Sequence, residues 1–245
     1  MARKWTREEE QAKRLELIRL YVRENRPLGE IAEILRRAES TIYDRLVRLH
    51  IPSLRARKEH YNNIRNDVKV PEKYSKDLAE LVGILLGDGH LTPTQITVTL
   101  GKKDVYVSYV KRLMKRVFGI TPKVIISHRG DFTVYFGSTK VVRYLKGMGL
   151  VFNKVRAQVG VPAWIFLSKD FMKRTIRGLF DTDGSVYRIR SGIQLSFSNC
   201  SQPLLKSFRF MLVSLGFRPS KVSDHSVYIT RKDEVRAFFR QICPQ

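Results

Sequence analysis

The sequence has few cysteines and no long hydrophobic run, and each absence excludes a class of protein. Its two cysteines, Cys200 and Cys243, stand alone without CxxC spacing, which excludes a disulfide framework and a zinc ribbon. No window approaches the ~18 consecutive apolar residues of a membrane span, and the start, MARKWTREEE, lacks the apolar stretch of a secretion signal. We therefore expect a protein that is not secreted, contacts no membrane and works in the cytoplasm, or in an organelle matrix if it comes from a eukaryote.

Acidic residues are also scarce relative to basic ones. Among the 245 residues, 46 are Lys or Arg and 23 are Asp or Glu, which gives a formal net charge of +23. An excess of this size indicates a polyanionic partner, and nucleic acid is the first expectation. An anionic membrane surface would require a basic amphipathic stretch with one broad apolar side, and the sequence shows none outside the helices expected to form the core.

Residues 1–52 have the pattern of a small helical domain. The stretch TREE at 6–9 has the form of a capping box, and three short apolar stripes follow, separated by polar turns. The tight break before the third stripe is typical of a helix-turn-helix, whose last helix enters the major groove of DNA. The residues expected to face DNA are Thr41, Tyr43, Asp44, Arg45 and Arg48. A three-helix bundle that binds protein, or only supports the main domain, is the alternative.

The chain after this domain repeats itself. Residues 53–76 are polar, include Pro71 and are expected to form a linker. The stretch LVGILLGDGH at 81–90 then matches IRGLFDTDGS at 176–185, with the two Asp-Gly pairs 95 residues apart. The segments that follow each stretch also match, so residues 77–160 and 161–245 are expected to be two copies of one unit of helix, strands, helix, strand and helix.

Each repeated stretch carries small residues four apart on one face of its helix. Such faces let two helices approach backbone to backbone, so we expect the two copies to pair about a pseudo-twofold axis. Asp88 and Asp183, at the two helix ends, would then meet. The four small residues expected at this interface are Gly83, Gly87, Gly178 and Thr182.

Two carboxylates at the negative ends of two helix dipoles repel each other, and a divalent metal ion would remove this conflict. Oxygen ligands suit Mg²⁺, which is commonly shared between carboxylates and substrate phosphate oxygens. Asp88 and Asp183 are therefore candidate metal ligands and catalytic residues for metal-assisted phosphodiester hydrolysis. The alternative is that each Asp-Gly pair only forms a turn at the end of its helix.

The stretches LVGILLGDG and IRGLFDTDG resemble the two signature motifs of the LAGLIDADG homing endonucleases, in the single-chain form that carries both copies. The resemblance implies an α+β fold of two tandem αββαββα halves whose antiparallel sheets form a saddle over DNA. It also implies that Asp88 and Asp183, each the eighth residue of its motif, bind Mg²⁺, with Mn²⁺ able to replace it. Asp181 has only Leu86 opposite it and is expected to be structural.

Polar residues alternate with apolar ones along the strands that follow each motif. One face of each sheet would then pack on helices while the other reads base edges in the major groove, with nearby cations neutralising phosphates. The residues expected to read bases are Gln95, Thr97, Thr99, Arg188, Arg190, Gln194, Ser196 and Ser198. Lys103 and Arg129 are expected to bind phosphates. Amphipathic strands that face only water are the alternative.

The family resemblance also implies a lysine or other polar residue near each aspartate. Lys154, in NKVRAQVGVPAW between the copies, resembles the lysine that precedes such a Val-Pro segment in the family, and Lys102 is a second catalytic candidate. The alternative is that both are ordinary surface lysines. The second copy stops at Gln245 without a counterpart of the segment that carries Lys154, so the two active centres are expected to be unequal.

These observations predict a monomer with internal pseudo-symmetry that cuts both strands of a specific DNA site with Mg²⁺. The N-terminal helices would add contacts beside the main site. Two alternatives stay open: a DNA-binding regulator in which cleavage is lost, and an RNA maturase that helps its own intron RNA to splice.

Overall fold

The computed structural model describes residues 6–24, 26–51, 67–101, 104–154, 156–190 and 192–244. These residues belong to two compact units, Met1–Tyr61 and Asn62–Gln245. Lys102, Lys103 and most of the expected linker lie outside the described residues. The last part of the expected linker belongs to the second unit, because Val68 is buried in its core and the Lys69 N–H donates to the Phe118 carbonyl at 2.9 Å. The stretch available as a linker is therefore shorter than the predicted 53–76.

The first unit is all-helical. Its elements are α1 (Arg7–Leu17), a π-helix that continues it (Ile18–Arg23), α2 (Leu28–Ile34) and α3 (Glu39–Arg48). The predicted capping box is confirmed, because Thr6 Oγ1 accepts from the Glu9 N–H at 3.2 Å and Glu9 Oε2 accepts from the Thr6 N–H at 2.9 Å. The helices share one small core, to which Leu17, Ile31 and Ile42 contribute fully buried side chains.

The second unit contains two similar runs of elements, as the repeat predicts. The first run is α4 (Lys76–Gly87), β1 (Gly89–Leu91), β2 (Gln95–Leu100), α5 (Asp104–Phe118), β3 (Lys123–Ile126), β4 (Phe132–Gly137) and α6 (Thr139–Gly147). A 3₁₀ helix (Ala163–Leu167) precedes the second run, which is α7 (Lys169–Asp183), β5 (Gly184–Ile189), β6 (Gly192–Ser198), α8 (Gln202–Ser214), β7 (Ser226–Ile229) and α9 (Lys232–Ile242). The α+β class is confirmed.

The second run departs from the expected αββαββα pattern at one strand. In the described residues, the segment before β7 that takes the place of β3 is not a regular strand. The Ser220 N–H donates to the Tyr228 carbonyl at 2.8 Å, but the return bond goes from the Tyr228 N–H to Ser220 Oγ at 3.0 Å. A side chain thus replaces one backbone partner, and Pro219, which has no N–H, comes directly before it.

Both sheets are antiparallel and bury one face. Their strand orders are β1-β2-β4-β3 and β5-β6-β7. In β2, Ile96, Val98 and Leu100 are buried, while the residues between them are partly or fully exposed. Because side chains alternate along a strand, one face of the sheet packs on α5 and α6 and the other presents polar groups.

Helices α4 and α7 form the centre of the second unit. Every residue of α4 from Leu78 to Gly87 is buried, and the two helices make the most extensive contact between any two elements of the described chain. The helix begins after Ser75, whose Oγ accepts from the Leu78 N–H at 3.1 Å. No helix in the described part of the chain has both the length and the apolar character to cross a membrane.

Small residues let these two helices approach closely. A Cβ on Gly83 would overlap the carbonyl oxygen of Thr175, and a Cβ on Gly178 would overlap the backbone of α4. The two backbones therefore meet at the glycines. One turn further along, the side chain of Thr182 fills the space beside Gly87. Each helix thus presents its motif glycine to the other, which is the pseudo-twofold arrangement that the repeat predicts.

Replacing Gly83 by alanine should lower the free energy of unfolding by roughly 2 kcal/mol or more, because the added methyl group would force the two backbones apart. Urea denaturation followed by circular dichroism would measure this loss. Gly147→Ala is the matched control, since Gly147 ends α6 and its Cβ position has no neighbour within 4 Å in the described chain. Alanine there should be neutral or stabilising. Equal losses in the two variants would contradict the packing.

Candidate active site and nucleic-acid interface

Each central helix ends at an aspartate, and the chain then doubles back. The Asp88 N–H donates to the Ile84 carbonyl at 3.0 Å at the end of α4, and Asp183 is the last residue of α7. A glycine follows each aspartate because no side chain fits there: a Cβ on Gly89 would overlap the backbone of Leu85, and the second motif has the same constraint. Each Asp-Gly pair therefore places a carboxylate at a helix end and lets the next strand fold over the last turn.

Asp183 is held by an asparagine that the sequence reading missed. Asn199 Nδ2 donates to Asp183 Oδ2 at 2.7 Å, and Asn199 Oδ1 accepts from the Ser201 N–H at 2.8 Å, which fixes the orientation of the amide. The pKa of Asp183 is raised to about 6, mainly by burial and also by the charge of Asp88, while the Asn199 hydrogen bond and the charge of Lys154 oppose the rise. Asn199 thus keeps one oxygen of this desolvated carboxylate in place.

Lys154 donates hydrogen bonds to the end of α4 and interacts electrostatically with both aspartates. Its Nζ donates to the Leu85 carbonyl at 3.3 Å and to the Gly87 carbonyl. These carbonyls belong to the last turn of the helix, where no N–H further along the helix is available to them. Burial lowers the pKa of Lys154, and the charges of Asp183 and Asp88 oppose this shift. Burial raises the pKa of Asp88, and Lys154 lowers it. The three charged groups therefore form one electrostatic cluster.

A cleft of about 580 Å³ opens beside the first aspartate. Its walls include apolar residues at the end of α4 and the segment that carries Lys154. Its polar lining residues are His90, Asn153, Lys154 and Arg156. The cleft brings a histidine, an asparagine and an arginine, none of them predicted from the sequence, to this side of the site.

Asn199 takes the place in the second repeat that Lys102 takes in the first. When Ile96 is aligned with Ile193, the two residues coincide. The repeat is therefore the signal that identifies Asn199. Lys102 lies outside the described residues, so its catalytic role stays a prediction, and the same holds for phosphate binding by Lys103.

The first sheet presents the predicted polar residues on one face. Strand pairing aligns Gln95 with Gly137, Thr97 with Tyr135 and Thr99 with Thr133. The same face gains side chains that the sequence reading missed, which are His90, Lys123, Thr133 and Tyr135. Arg129 is exposed in the turn between β3 and β4. The face thus combines hydroxyl, amide, imidazole and ammonium groups.

The second sheet differs from the prediction in which residues share a face. Pairing places Gln194 opposite Tyr187 and Arg188 opposite Ile193, so Arg188 lies on the opposite face from Gln194. The prediction of one shared face is wrong, because the register across the turn, and not the alternation within each strand, sets which residues face the same way. Arg190 is exposed in the turn itself.

The polar residues of the second sheet are bonded to one another. Tyr187 OH donates to Gln194 Oε1 at 2.6 Å, and Gln194 Nε2 donates to Thr230 Oγ1 at 2.9 Å. Ser196 is only 6% exposed, so it does not lie on the open surface as predicted. Its Oγ lies 3.3 Å from that of Ser198, which is exposed. Of the predicted residues on this face, Gln194 and Ser198 are therefore the accessible ones, and hydrogen bonds to neighbouring side chains hold them in place.

In the first unit, the predicted DNA-facing residues lie on α3 and differ in exposure. Tyr43, Asp44 and Arg48 are exposed, and Thr41 and Arg45 are half-buried. Arg48 Nε lies 3.6 Å from Glu10 Oε1 on α1. Val47 is 59% exposed one turn after Tyr43, so the outer side of α3 also presents apolar surface.

Comparison with known proteins agrees with this geometry. A family model described as a LAGLIDADG-like domain matches residues 170–243. The structure is similar to a solved structure of the homing endonuclease I-DmoI, with a TM-score of 0.50 and 15% identity over 69% of this chain and 97% of that one. The second repeat of the chain therefore matches a LAGLIDADG-like domain, and the fold of the second unit is similar to that of I-DmoI.

Other known proteins are similar to parts of this chain. The N-terminal LAGLIDADG domain of DUF199/WhiA has a TM-score of 0.51 and 16% identity, covering 72% of this chain and 88% of that one. I-DmoI in complex with nicked target DNA in the presence of manganese has a TM-score of 0.50 and 17% identity, covering 69% and 97%. The glutamine–fructose-6-phosphate aminotransferase of Methanocaldococcus jannaschii is 23% identical over 163 residues, which are 66% of this chain and 14% of that protein. This chain therefore spans a small part of that relative.

The two aspartates suit a divalent cation. Carboxylate oxygens are the ligands that Mg²⁺ prefers, and both side chains are desolvated beside Lys154, so a further positive charge would stabilise them. Among the residues that the structure describes, no group of three or more His, Cys, Asp and Glu could hold a metal. A cation held by Asp88 and Asp183 would therefore complete its shell with water and with phosphate oxygens.

Removing the charge of Asp183 should stabilise the metal-free protein at neutral pH. The pKa of Asp183 rises from 3.8 to about 6 on folding. The folded state therefore holds the proton more tightly, and stability falls as the pH rises between these values. We expect Asp183→Asn to be more stable by about 1 to 2 kcal/mol at pH 7.5, after allowance for solvent screening, and equal to the parent near pH 4.

Urea unfolding in EDTA at both pH values would measure this difference. Asp233→Asn is the matched control, because its carboxylate is 73% exposed and should show no such gain. A variant at position 183 that is less stable than the parent at pH 7.5 would contradict the assignment of a desolvated carboxylate that its neighbours compensate only in part.

Proposed function

We propose that this chain is a site-specific DNA endonuclease that hydrolyses phosphodiester bonds in both strands with a divalent metal ion. The observation that carries the proposal is the electrostatic coupling of Asp88 with Asp183, one from each repeat, and of both with Lys154. Two desolvated carboxylates beside one cation are costly unless a ligand uses them. An active site formed by one aspartate from each repeat would use both carboxylates as ligands of a metal ion.

The residues around the aspartates have distinct roles in this proposal. Bound Mg²⁺ would supply activated water and stabilise the attacking and leaving oxygens, and Mn²⁺ should replace it. Asp88 and Asp183 would hold the ion, and Asn199 would keep Asp183 oriented. Lys154, fixed to the carbonyls of α4, would place a positive charge near the phosphate where negative charge develops. Because Lys154 comes from the segment between the repeats, we propose that the two strands are cut at unequal rates.

Recognition would use the polar faces of the two sheets. Gln95, Thr97 and Thr99 on one sheet, and Gln194 and Ser198 on the other, offer donors and acceptors to base edges. The net charge of +23 would neutralise phosphates around them. The crystallisation of I-DmoI with its target DNA and manganese supports both a duplex partner and a metal requirement.

We also propose that one chain is sufficient for the reaction. Both aspartates come from the same polypeptide, so a monomer contains the complete pair. Helix α3 of the first unit would add DNA contacts beside the main site. Intron RNA is a further candidate partner, because a basic surface with exposed hydroxyl and amide groups also suits RNA.

Binding without cleavage is the second candidate function. The exposed side of α3 and the two polar sheet faces do not depend on the aspartates. A chain that used only these surfaces would act as a DNA-binding protein, and loss of either carboxylate would leave its function intact.

Asp88→Asn and Asp183→Asn should each abolish double-strand cleavage while leaving DNA affinity within a few-fold of the parent. The expected loss is roughly 100-fold or more in rate, since even changes behind the ligands of metal sites cost about 10–100-fold. The substrate would be a duplex selected from a random pool by binding in Ca²⁺, then cut in Mg²⁺ and analysed on a denaturing gel.

Asp233→Asn serves as the control for this experiment, because it removes an exposed carboxylate far along the chain from both motifs. Full cleavage by either motif variant would refute the active-site assignment. A parent protein that binds the selected duplex but cuts it in neither Mg²⁺ nor Mn²⁺ would favour binding without cleavage.

Tyr43→Ala should shorten the protected region on one side of the bound duplex. Tyr43 is 53% exposed, so the substitution should not disturb folding, and it would remove the largest exposed side chain of α3. Footprinting of parent and variant on the same duplex would reveal the change. An unchanged footprint would indicate that the first unit does not contact DNA through this helix.

A further inference from the structure

A carboxylate is buried in the middle of the contact between the two central helices. Glu80 of α4 is 0% exposed. Its Oε2 lies 3.0 Å from Arg174 Nη1 and its Oε1 lies 3.3 Å from Arg177 Nε, both on α7. The charge of the first repeat is therefore compensated by two cations of the second.

A neighbouring tyrosine completes this cluster. Tyr109 OH of α5 donates to Glu80 Oε1, and the Arg177 guanidinium lies over the Tyr109 ring, 5.3 Å from its centroid. Arg177 is 12% exposed, so most of its interactions are made inside the protein. A buried carboxylate with this many partners is stable only while all of them are present.

The charges of this cluster are distributed unequally between the repeats. With the 95-residue offset, Glu80 corresponds to Thr175, while Arg174 and Arg177 correspond to Ala79 and Val82. In the contact between the helices the carboxylate comes from α4 and the two cations come from α7, where Arg177 Nε also lies 4.0 Å from Oδ2 of the buried Asp181. The glycine contact is symmetrical, but the charged contact beside it is not.

We propose that the Glu80 cluster selects the partner of each central helix, so that α4 pairs with α7 and not with a second copy of itself. In a pair of two α4 helices, each Glu80 would face Ala79 and Val82 of the other copy and would be buried without a cation. The glycines and the apolar residues alone would permit that pair, because both helices carry them. The Glu80 cluster excludes a pair of two α4 helices.

The surface of α4 therefore fits one kind of partner, the α7 surface of a second repeat. That repeat is either in the same chain or, if two chains exchange repeats, in another copy. The selection is a property of the helix contact and does not depend on whether the protein cuts DNA.

A charge exchange in the full-length chain tests the selection. Glu80→Arg, and Arg174→Glu with Arg177→Glu, should each lower Tm by roughly 10 °C, because each leaves like charges facing in the core. All three substitutions together should recover the part of the loss that comes from the contact with position 80, but not the part that comes from Asp181, which loses Arg177 as its neighbour. The control is Lys76→Asp with Asp170→Lys, an exposed pair at 2.7 Å between the same helices, whose single and double variants should differ little from the parent.

Mixing the two partial variants tests partner choice directly. They would be unfolded together in urea and refolded, one carrying a mass tag, and the dimers would be weighed by native mass spectrometry. Mixed dimers should greatly outnumber dimers of either variant alone, since only the mixture restores opposite charges at both helix contacts. The proposal is overturned if the triple variant is no more stable than the partial ones, or if same-variant dimers are as abundant as mixed ones.

Discussion

The close contact of α4 with α7 is the constraint on which the rest of the second unit depends. Gly83 and Gly178 let two backbones meet, so the C-terminal ends of both helices converge and carry Asp88 and Asp183 with them. The first strand of each sheet begins at the residue after its aspartate, which ties both sheets to the same contact. A methyl group at either glycine would separate the helices and so change the carboxylates and the sheets together.

The helix pair holds its buried and half-buried carboxylates in two different ways. Glu80 lies between two arginines and a tyrosine, whereas in the described residues Asp88 and Asp183 share Lys154, which also donates to helix carbonyls. Full compensation is what a structural charge requires. Incomplete compensation lowers stability and leaves the oxygens available to a ligand, which is typical of a functional site. The contrast within one helix pair distinguishes the residues that hold the fold from those that are available for chemistry.

Much of the fold follows from the sequence because the repeat is visible there. Two Asp-Gly pairs in register, with small residues at helical spacing before them, were sufficient to predict the helix pair and the meeting of the aspartates. Other features depend on relations that alternation and spacing do not contain. The face of Arg188 depends on strand register across a turn, and the burial of Ser196 depends on what packs over it. Glu80, Arg174 and Arg177 are ordinary helix residues until the two helices are brought together.

Because Lys154 is bonded to the end of α4, the segment that connects the two repeats is part of the site around the aspartates. A segment that joins two similar halves is normally where a chain tolerates insertion, cleavage or new termini, because little depends on it. Here that segment supplies the ammonium group that satisfies the end of α4 and lies within the field of both aspartates. The segment between the two repeats is therefore more than a linker. Shortening, lengthening or opening this connection would move Lys154 and so change the surroundings of both aspartates directly.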